Sequence, residues 1–189
     1  MSKLFVFMMV SLDGYMEGEN HDLSWHNVDS EFNNEFAIPQ LKDVGRLLFG
    51  HRTYDLMHDY WPTPEARKND PIVAELMNTI PKIVVSHSLQ KVDDEEHWKN
   101  IRLMHNNVVE EVQKLKNESQ EDIGVFGSNN LCVTLLENNL IDELRIMVNP
   151  VVIGHGTPLF KGIDKRYNFA LQNSRQFNNG NVLLTYSIK

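Results

Sequence analysis

Apolar residues along the chain alternate between short continuous runs and stripes at helical spacing. The first run, Leu4 to Val10, has no polar interruption, a pattern typical of a strand buried on both faces at the centre of a sheet. A helix is predicted over 29–41, where the apolar residues share one stripe and Asp29 or Ser30 is the candidate N-cap. Further strands are predicted at 46–50, 82–85, 101–104, 123–126 and 143–148.

Predicted helices fill the intervals between these strands. Asp70-Pro71 is a good helix start, because a capping acid precedes a proline at the first helical position. The apolar stripe of that helix runs from Ile72 to Ile80. The polar stretch 91–100 is predicted to be a surface loop. Other helices are predicted at 53–59, around 108–115 and from 128 to 136.

Asn179-Gly180 separates two strand-like runs, 169–177 and 182–188, and is the strongest hairpin signal in the chain. Strands that alternate with helices favour a mainly parallel sheet, and the hairpin adds an antiparallel edge. The sequence therefore predicts an α/β fold. No repeat and no break in composition divides the chain, so residues 1–189 are predicted to form a single domain.

The 189 residues carry 18 Lys+Arg against 26 Asp+Glu, a formal net charge of −8. This acidic balance argues against a general nucleic-acid binder, whose affinity depends on excess cations at the phosphates. The longest apolar run is far shorter than the ~20 residues of a membrane-spanning helix, and the N-terminus lacks the pattern of a signal peptide. The single cysteine, Cys132, excludes an internal disulfide and lies on an apolar stripe that predicts a core position. We therefore expect a cytoplasmic protein that binds neither nucleic acid nor membranes.

Three predicted strands end in glycine or polar residues directly before a helix or loop. Ligands of open α/β sheets bind beyond the carboxyl ends of the strands, where backbone N–H groups, hydroxyls and helix N-termini can hold a phosphate. Arg52 adds a forked cation suited to phosphate. Each segment alone also fits a plain strand end or helix cap, but three together favour a phosphorylated cofactor. The segments are Gly50-His51-Arg52-Thr53, Ser86-His87-Ser88 and Gly127-Ser128-Asn129-Asn130.

Other candidate site residues lie near the start of the helix at 29–41. Asp29 faces a pocket or caps the helix, and both interpretations remain open. Trp25 is a candidate pocket wall or a core residue. The eight histidines include pairs five and seven residues apart, but neither pair has a carboxylate at a ligand spacing. These histidines are predicted to be surface or loop residues, and no metal site is expected.

The segments at the strand ends resemble the dihydrofolate reductase-like superfamily. Within it, the chain is most similar to the reductase domain of the bacterial bifunctional riboflavin-biosynthesis deaminase/reductase and to the stand-alone relatives of that domain. The resemblance runs in order from Lys3 to Ile188, and the order and spacing of the motifs make it specific. The motifs are Ser11-Leu12-Asp13-Gly14, Gly50-His51-Arg52-Thr53-Tyr54, Lys82-Ile83-Val84-Val85-Ser86, Ile123-Gly124-Val125-Phe126-Gly127-Ser128, Leu140-Ile141-Asp142-Glu143-Leu144 and the stretch from Asn149 to Phe160.

The resemblance implies a three-layer α/β/α fold with an eight-stranded, mostly parallel sheet and NADPH bound at its carboxyl edge. By position, the first strand, around Met9 to Ser11, runs beside the nicotinamide. Ser86, with His87 and Ser88, lies near the adenosine side and its 2′-phosphate. The remaining cofactor residues lie at the phosphates by the same resemblance: Gly50, Arg52 and Thr53, and around the pyrophosphate Gly127, Ser128, Asn129 and Asn130.

The implied reaction is hydride transfer from NADPH to a small heterocycle, either a pyrimidine such as 5-amino-6-(5-phosphoribosylamino)uracil or a pterin. The cofactor carries this step, so the chemistry needs no protein nucleophile or metal. Asp29, near the position of the pterin-binding acid of dihydrofolate reductases, is the candidate catalytic acid, and Ser30 matches that position equally well. Asp29 and Trp25 are also the candidate substrate contacts. A nucleotide-binding protein without turnover and a true dihydrofolate reductase are the alternatives, and the resemblance further implies a homodimer.

Overall fold

Strand β1, Leu4–Val10, crosses the middle of the sheet in the computed structural model, which describes residues 2–189. Because side chains alternate along a strand, Leu4 and Val6 pack on one face while Phe5 and Phe7 pack on the other. Both sets are buried, which confirms the prediction of a strand enclosed on both faces.

The remaining strands in residues 2–189 are β2 (Tyr15–Glu17), β3 (Val44–Gly50), β4 (Lys82–Val85), β5 (Ile101–Met104), β6 (Asp122–Val125), β7 (Glu143–Val148), β8 (Thr157–Pro158), β9 (Phe169–Gln176) and β10 (Val182–Ile188). Eight of the strands form one sheet in the order β5-β4-β3-β6-β1-β7-β10-β9. Strand β10 pairs antiparallel with both neighbours, and the other neighbouring strands run parallel. The predicted mostly parallel sheet with an antiparallel C-terminal hairpin is confirmed.

Helices cover both faces of this sheet and complete the three layers. In residues 2–189 they are α1 (Ser30–Phe32), α2 (Ile38–Lys42), α3 (His51–Tyr60), α4 (Pro64–Asn69), α5 (Pro71–Thr79), α6 (Val108–Glu118) and α7 (Asn129–Glu137). Val112 of α6 and Leu135 of α7 belong to the core on one face, and Tyr54 of α3 and Met77 of α5 belong to the core on the other. None of the helices in the described part of the chain combines the length and apolarity that crossing a bilayer requires.

The helix predicted after the first strand is interrupted by a π-helical turn, Asn33–Ala37, between α1 and α2. The Asp29 carboxylate accepts a hydrogen bond of 2.8 Å from Phe32 N, so the capping interpretation of Asp29 is confirmed. The apolar stripe is buried as predicted, and Phe32 and Phe36 pack against Phe7 of β1. This helix therefore closes one face of the sheet next to the end of β1.

Tertiary packing overrides the sequence pattern at three places. Asp70 precedes α5, but its carboxylate does not cap the helix, because Asp70 Oδ1 accepts a hydrogen bond of 2.6 Å from Asn33 Nδ2. Ile72, predicted on the buried stripe of α5, is 52% exposed. Trp98 lies in the stretch predicted to be a surface loop, yet its side chain is completely buried in the core.

Helix α4 and the small antiparallel sheet of β2 and β8 have no counterpart in the sequence prediction. Thr63 Oγ1 accepts a hydrogen bond of 3.2 Å from Ala66 N and caps α4. Strands β2 and β8 are too short to show an alternation and pair across most of the length of the chain. The single-domain organisation stays a prediction.

Lys82 is a buried cation in the core, with 1% of its surface exposed. Its Nζ donates to the carbonyl oxygens of Ile80 at 2.7 Å, Asn78 at 3.1 Å and Lys99 at 3.1 Å. The same Nζ lies 4.5 Å from the centroid of the Trp98 ring. Burial lowers the pKa of Lys82 from 10.5 to about 7.

Lys82→Met is expected to remove a pH dependence from the stability of the fold. Because the pKa of Lys82 is lower in the native protein than in the unfolded chain, the unfolded chain binds more protons between about pH 7 and pH 10.5. The native protein therefore gains stability as the pH rises through this window, by at most about 1.4 kcal/mol per pH unit. Denaturant titrations near pH 7 and near pH 9 measure this gain. If the free energy of unfolding changes equally with pH in Lys82→Met and in the unsubstituted protein, the shifted pKa of Lys82 is contradicted.

Candidate active site

A polar groove lies at the carboxyl edge of the sheet, where β3, β4 and β6 end, and has a volume of about 490 Å³. It brings together side chains from all three segments that the sequence predicts at a phosphate. Its lining consists of Gly50, His51, Arg52, Val85, Ser86, His87, Ser88, Val108, Ser128, Asn130, Leu131 and Thr134.

The turns that follow β3 and β6 touch each other at this groove. Gly50 N donates a hydrogen bond of 2.9 Å to Gly127 O. A Cβ atom on Gly50 would lie 2.5 Å from Ser128 Oγ, and one on Gly127 would lie 2.6 Å from Thr53 Oγ1. Gly127 also has a φ of 120°, which other residues rarely adopt, and the Gly127–Ser128 peptide bond is cis. Glycine at both positions therefore allows α3 and α7 to begin side by side.

Helices α3 and α7 both begin at the groove without a side-chain cap. Gly50 is the N-cap of α3, and Ser128, the N-cap of α7, makes no capping hydrogen bond. The N–H groups of a first helical turn have no partner within the helix, and the helix dipole favours negative charge beside them. On the β4 side, Ser86 Oγ accepts hydrogen bonds from Ser88 N at 3.2 Å and Leu89 N at 3.0 Å and orders the turn. The groove is thus equipped to hold anionic groups.

A central pocket of about 180 Å³ adjoins the polar groove beside β1 and shares Arg52 and Ser128 with it. Asn129 in its wall is 8% exposed, and Asn129 Nδ2 has no hydrogen-bond partner among residues 2–189. A buried amide without a partner costs free energy, so this position suits a ligand acceptor. The lining of the central pocket is Phe7, Met8, Met9, Met16, Glu17, Leu23, His26, Arg52, Thr53, Leu56, Met57, Phe126, Ser128 and Asn129.

Glu17 of β2 is a carboxylate in the wall of the central pocket whose side chain is 4% exposed. It forms an ion pair with Arg52, and Thr157 of β8 donates a hydrogen bond of 2.6 Å to Glu17 Oε1. Burial raises the pKa of Glu17, but the Thr157 hydrogen bond and the Arg52 guanidinium outweigh it and hold the net pKa below its usual value. Arg52, predicted at the cofactor phosphates, is therefore positioned by a carboxylate of its own chain.

An apolar cavity of about 710 Å³ extends from the central pocket between β1 and helices α1, α2, α3 and α5. Phe7, Met9 and Phe126 belong to both linings, so the two spaces adjoin each other. The lining of the apolar cavity is Phe7, Met9, Leu23, His26, Val28, Phe32, Asn33, Ala37, Gln40, Leu41, Met57, Tyr60, Trp61, Asp70, Val73, Met77 and Phe126.

His26 lies where the central pocket and the apolar cavity meet and lines both. Its Nε2 is buried and has no hydrogen-bond partner in the described part of the chain. Burial lowers the pKa of His26 to about 4, although the backbone of Met16 and the charge of Asp22 oppose this shift. The ring is therefore neutral near pH 7, and its free nitrogen can form one hydrogen bond with a bound molecule.

Most of the predicted cofactor residues come together in this cleft. Gly127 does not line it but forms the turn contact with Gly50. Ser11 is 1% exposed, and its Oγ accepts a hydrogen bond of 3.0 Å from Tyr15 N, so it closes the turn between β1 and β2. The predicted residues that line the polar groove or the central pocket are Met9, Gly50, Arg52, Thr53, Ser86, His87, Ser88, Ser128, Asn129 and Asn130.

The predicted substrate residues Asp29 and Trp25 lie outside these three linings. Asp29 caps α1 and lines an outer recess of about 450 Å³, which shares Asp70 with the apolar cavity. Trp25 Nε1 donates to Asp22 O at 3.1 Å, and the Trp25 ring packs edge-on against His26 with centroids 4.5 Å apart. The catalytic role of Asp29 and the substrate contacts of Asp29 and Trp25 stay predictions, and in the structure Asp29 caps α1 while Trp25 packs against the His26 ring.

Several site residues are absent from the sequence prediction. His26 lies in a loop, as predicted for the histidines, but its ring is largely buried in a cavity wall instead of at the surface. Glu17, Asn33 and Asp70 carry no motif, and each gains its place through contacts with residues far away in the chain. For His26, the one local signal in the sequence is its position next to Trp25, which is itself a candidate pocket residue.

Comparison with known proteins places the chain in a family. Residues 2–183 match the model of the RibD C-terminal domain. The uncharacterized protein YyaP of Bacillus subtilis (strain 168) is 30% identical over 185 residues, which cover 97% of this chain and 94% of YyaP.

Solved structures share the fold at lower identity. A protein of Shewanella sp. PV-4 named for riboflavin biosynthesis superposes with a TM-score of 0.76 at 22% identity over 99% of both chains. The diaminohydroxyphosphoribosylaminopyrimidine deaminase/5-amino-6-(5-phosphoribosylamino)uracil reductase of Thermotoga maritima gives a TM-score of 0.72 at 14% identity, over 100% of this chain and 57% of its own. Dihydrofolate reductase from Enterococcus faecalis, complexed with NADP(H), gives 0.65 at 16% identity over 99% of this chain and 96% of its own.

These superpositions confirm the dihydrofolate reductase-like fold implied by the motifs at the strand ends. The family match extends over nearly the whole chain, including every element of the cleft. The chain therefore belongs to the RibD C-terminal domain family.

Proposed function

We propose that the protein is an NADPH-dependent reductase that transfers a hydride to a small heterocyclic ring. The observation that carries the proposal is the row of three adjoining spaces, in which a polar groove at two helix N-termini borders the central pocket and that pocket borders an apolar cavity beside β1. An extended dinucleotide matches this division. Its phosphates need N–H groups and hydroxyls, whereas the reacting rings need surroundings from which water is excluded.

The polar groove fits the phosphates of such a cofactor. Uncapped N-termini at Gly50 and Ser128 offer backbone N–H groups, and the hydroxyls of Ser86 and Ser88 fit its adenosine side. The unpartnered Asn129 Nδ2 would gain an acceptor from the bound molecule. We assign to cofactor binding those of the predicted residues that line the groove or the central pocket.

Bound NADPH supplies the hydride, so the residues of this chain bind, orient and exclude water. Phe7, Met9 and Phe126 line the boundary of the central pocket and the apolar cavity and keep it dry. His26 Nε2 at the same boundary is free to fix the substrate ring through one hydrogen bond. The apolar cavity holds the remainder of the ring.

The names of similar proteins support this activity class. The Thermotoga maritima protein is named as a 5-amino-6-(5-phosphoribosylamino)uracil reductase, and the Enterococcus faecalis enzyme is a dihydrofolate reductase complexed with NADP(H). On this basis we propose that this chain is an oxidoreductase.

The proposed activity is tested by following NADPH absorbance in the presence of a panel of pyrimidines and pteridines. We expect consumption that depends on both the protein and one member of the panel. Saturable NADPH binding by calorimetry without any consumption would favour a nucleotide-binding protein without turnover. Absence of NADPH binding would contradict the proposal itself.

Asn129→Ala is expected to weaken NADPH binding about tenfold, the effect of one lost hydrogen bond of about 1.4 kcal/mol. Asn138→Ala is the matched control, since Asn138 is exposed at the other end of the same helix. Calorimetric titration of both variants measures the effect. Equal affinities for the two variants would place the cofactor away from the central pocket.

A second substitution separates the contribution of Arg52 to NADPH affinity from its contribution to the stability of the fold. Arg52→Ala removes the guanidinium from the buried Glu17 carboxylate, so we expect a loss of both stability and NADPH affinity. Glu17→Gln in the Arg52→Ala background removes that charge and is expected to recover stability. NADPH affinity should stay lower by about 1.5–3 kcal/mol, the scale of a hydrogen bond to a charged group. Recovery of NADPH affinity in the double variant would show that Arg52 acts only through the fold.

A homodimer is the assembly that we propose for the protein. Sedimentation equilibrium is expected to give twice the 21.9 kDa of one chain. A measured mass equal to that of one chain, at micromolar protein concentration, would contradict the homodimer.

A further inference from the structure

The apolar cavity holds one charged side chain among the residues that line it, the carboxylate of Asp70. Its walls are aromatic and aliphatic, with the rings of Phe7, Phe126 and Trp61 around a volume of about 710 Å³. Such a space accommodates a flat ring system of one or two rings, because ligand sites of small molecules span roughly 300–1,000 Å³. The electrostatic character of the cavity therefore depends on Asp70.

Cations near the cavity are already engaged by the protein. Arg145, behind the wall, donates to Gln40 Oε1 at 3.3 Å and to Glu143 Oε1 at 2.6 Å and lies 3.8 Å from the centroid of the Phe5 ring. Arg52 lines the central pocket and the polar groove, where it is paired with Glu17. A phosphate in the apolar cavity would therefore meet a carboxylate and apolar walls, and it would lose its hydration without compensation.

The polar groups of the cavity suit a neutral ring edge. Asn33 Nδ2 donates to Asp70 Oδ1 at 2.6 Å, which fixes the carboxylate as an acceptor in the wall. His26 Nε2, buried and unpartnered within residues 2–189, belongs to the same lining, where it borders the central pocket. Carboxylate oxygens accept from ring N–H or amino groups, and a neutral imidazole nitrogen forms one further hydrogen bond.

We propose that this cavity selects an uncharged, unphosphorylated, flat nitrogen heterocycle, with Asp70 accepting from its N–H groups and His26 Nε2 forming one further hydrogen bond to it. The inference rests on the proposed function and narrows its substrate class. It separates this chain from an enzyme that acts on a phosphoribosylated pyrimidine, the substrate in the name of the Thermotoga maritima reductase. The reaction stays a two-electron reduction, in which NADPH is oxidised to NADP⁺ and the ring gains a hydride and a proton from the solvent.

Two pteridines with the same ring system test the proposal: pterin, which is neutral, and 6-carboxypterin, whose additional carboxylate carries one negative charge. Calorimetry with the NADPH-saturated protein is expected to give at least about tenfold tighter binding of pterin, because the added carboxylate faces Asp70 and apolar walls. Asp70→Asn is expected to reduce that preference at least about threefold. Asp43→Asn, at the exposed end of α2, is the matched control and is expected to leave the preference unchanged.

Equal or tighter binding of 6-carboxypterin overturns the proposal, and so does the absence of pterin binding. A preference that survives Asp70→Asn overturns the part assigned to Asp70. NADPH titration of the same samples keeps the two claims apart. If NADPH binds and pterin does not, the substrate class is wrong while the proposed function stands. If pterin binds but NADPH does not, the proposed function fails.

Discussion

The contact between the turns after β3 and β6 is the constraint on which the cleft depends. Gly50 N bonds to Gly127 O, and the space beside each glycine is filled by Ser128 or Thr53. This close approach lets two helices begin at one place on the edge of the sheet, each without a side-chain cap. A polar groove follows from that geometry, because the N–H groups of two helical first turns converge on it.

Charge is divided along the cleft in a way that the net charge of −8 does not reveal. At the polar end, helix N-termini and Arg52 create a local site for anions on an acidic protein. At the junction, Glu17 balances Arg52 within the wall. At the apolar end, Asp70 is the charged group of the lining. The local arrangement of these groups therefore decides which part of a ligand each cavity accepts.

More of the fold than of the candidate site could be predicted from the sequence. Strand β1 and the hairpin at Gly180 were predictable because their patterns are local. The strand-end segments were predictable because parallel strands deliver their carboxyl ends to one edge. Glu17 was not, since it depends on Thr157 in a two-residue strand far along the chain. Asp70 looked like a helix cap, but in the folded chain its carboxylate accepts a hydrogen bond from Asn33 of the π-helical turn instead.

A crystal structure of the protein soaked with NADPH tests the central claim most directly, because it shows where each part of the cofactor lies. The account predicts the phosphates in the polar groove at the N-termini of α3 and α7, with the nicotinamide in the central pocket near Met9 and Asn129. It also predicts a ligand acceptor within hydrogen-bond distance of Asn129 Nδ2. Cofactor density elsewhere on the protein, or an empty cleft at saturating NADPH, would contradict it.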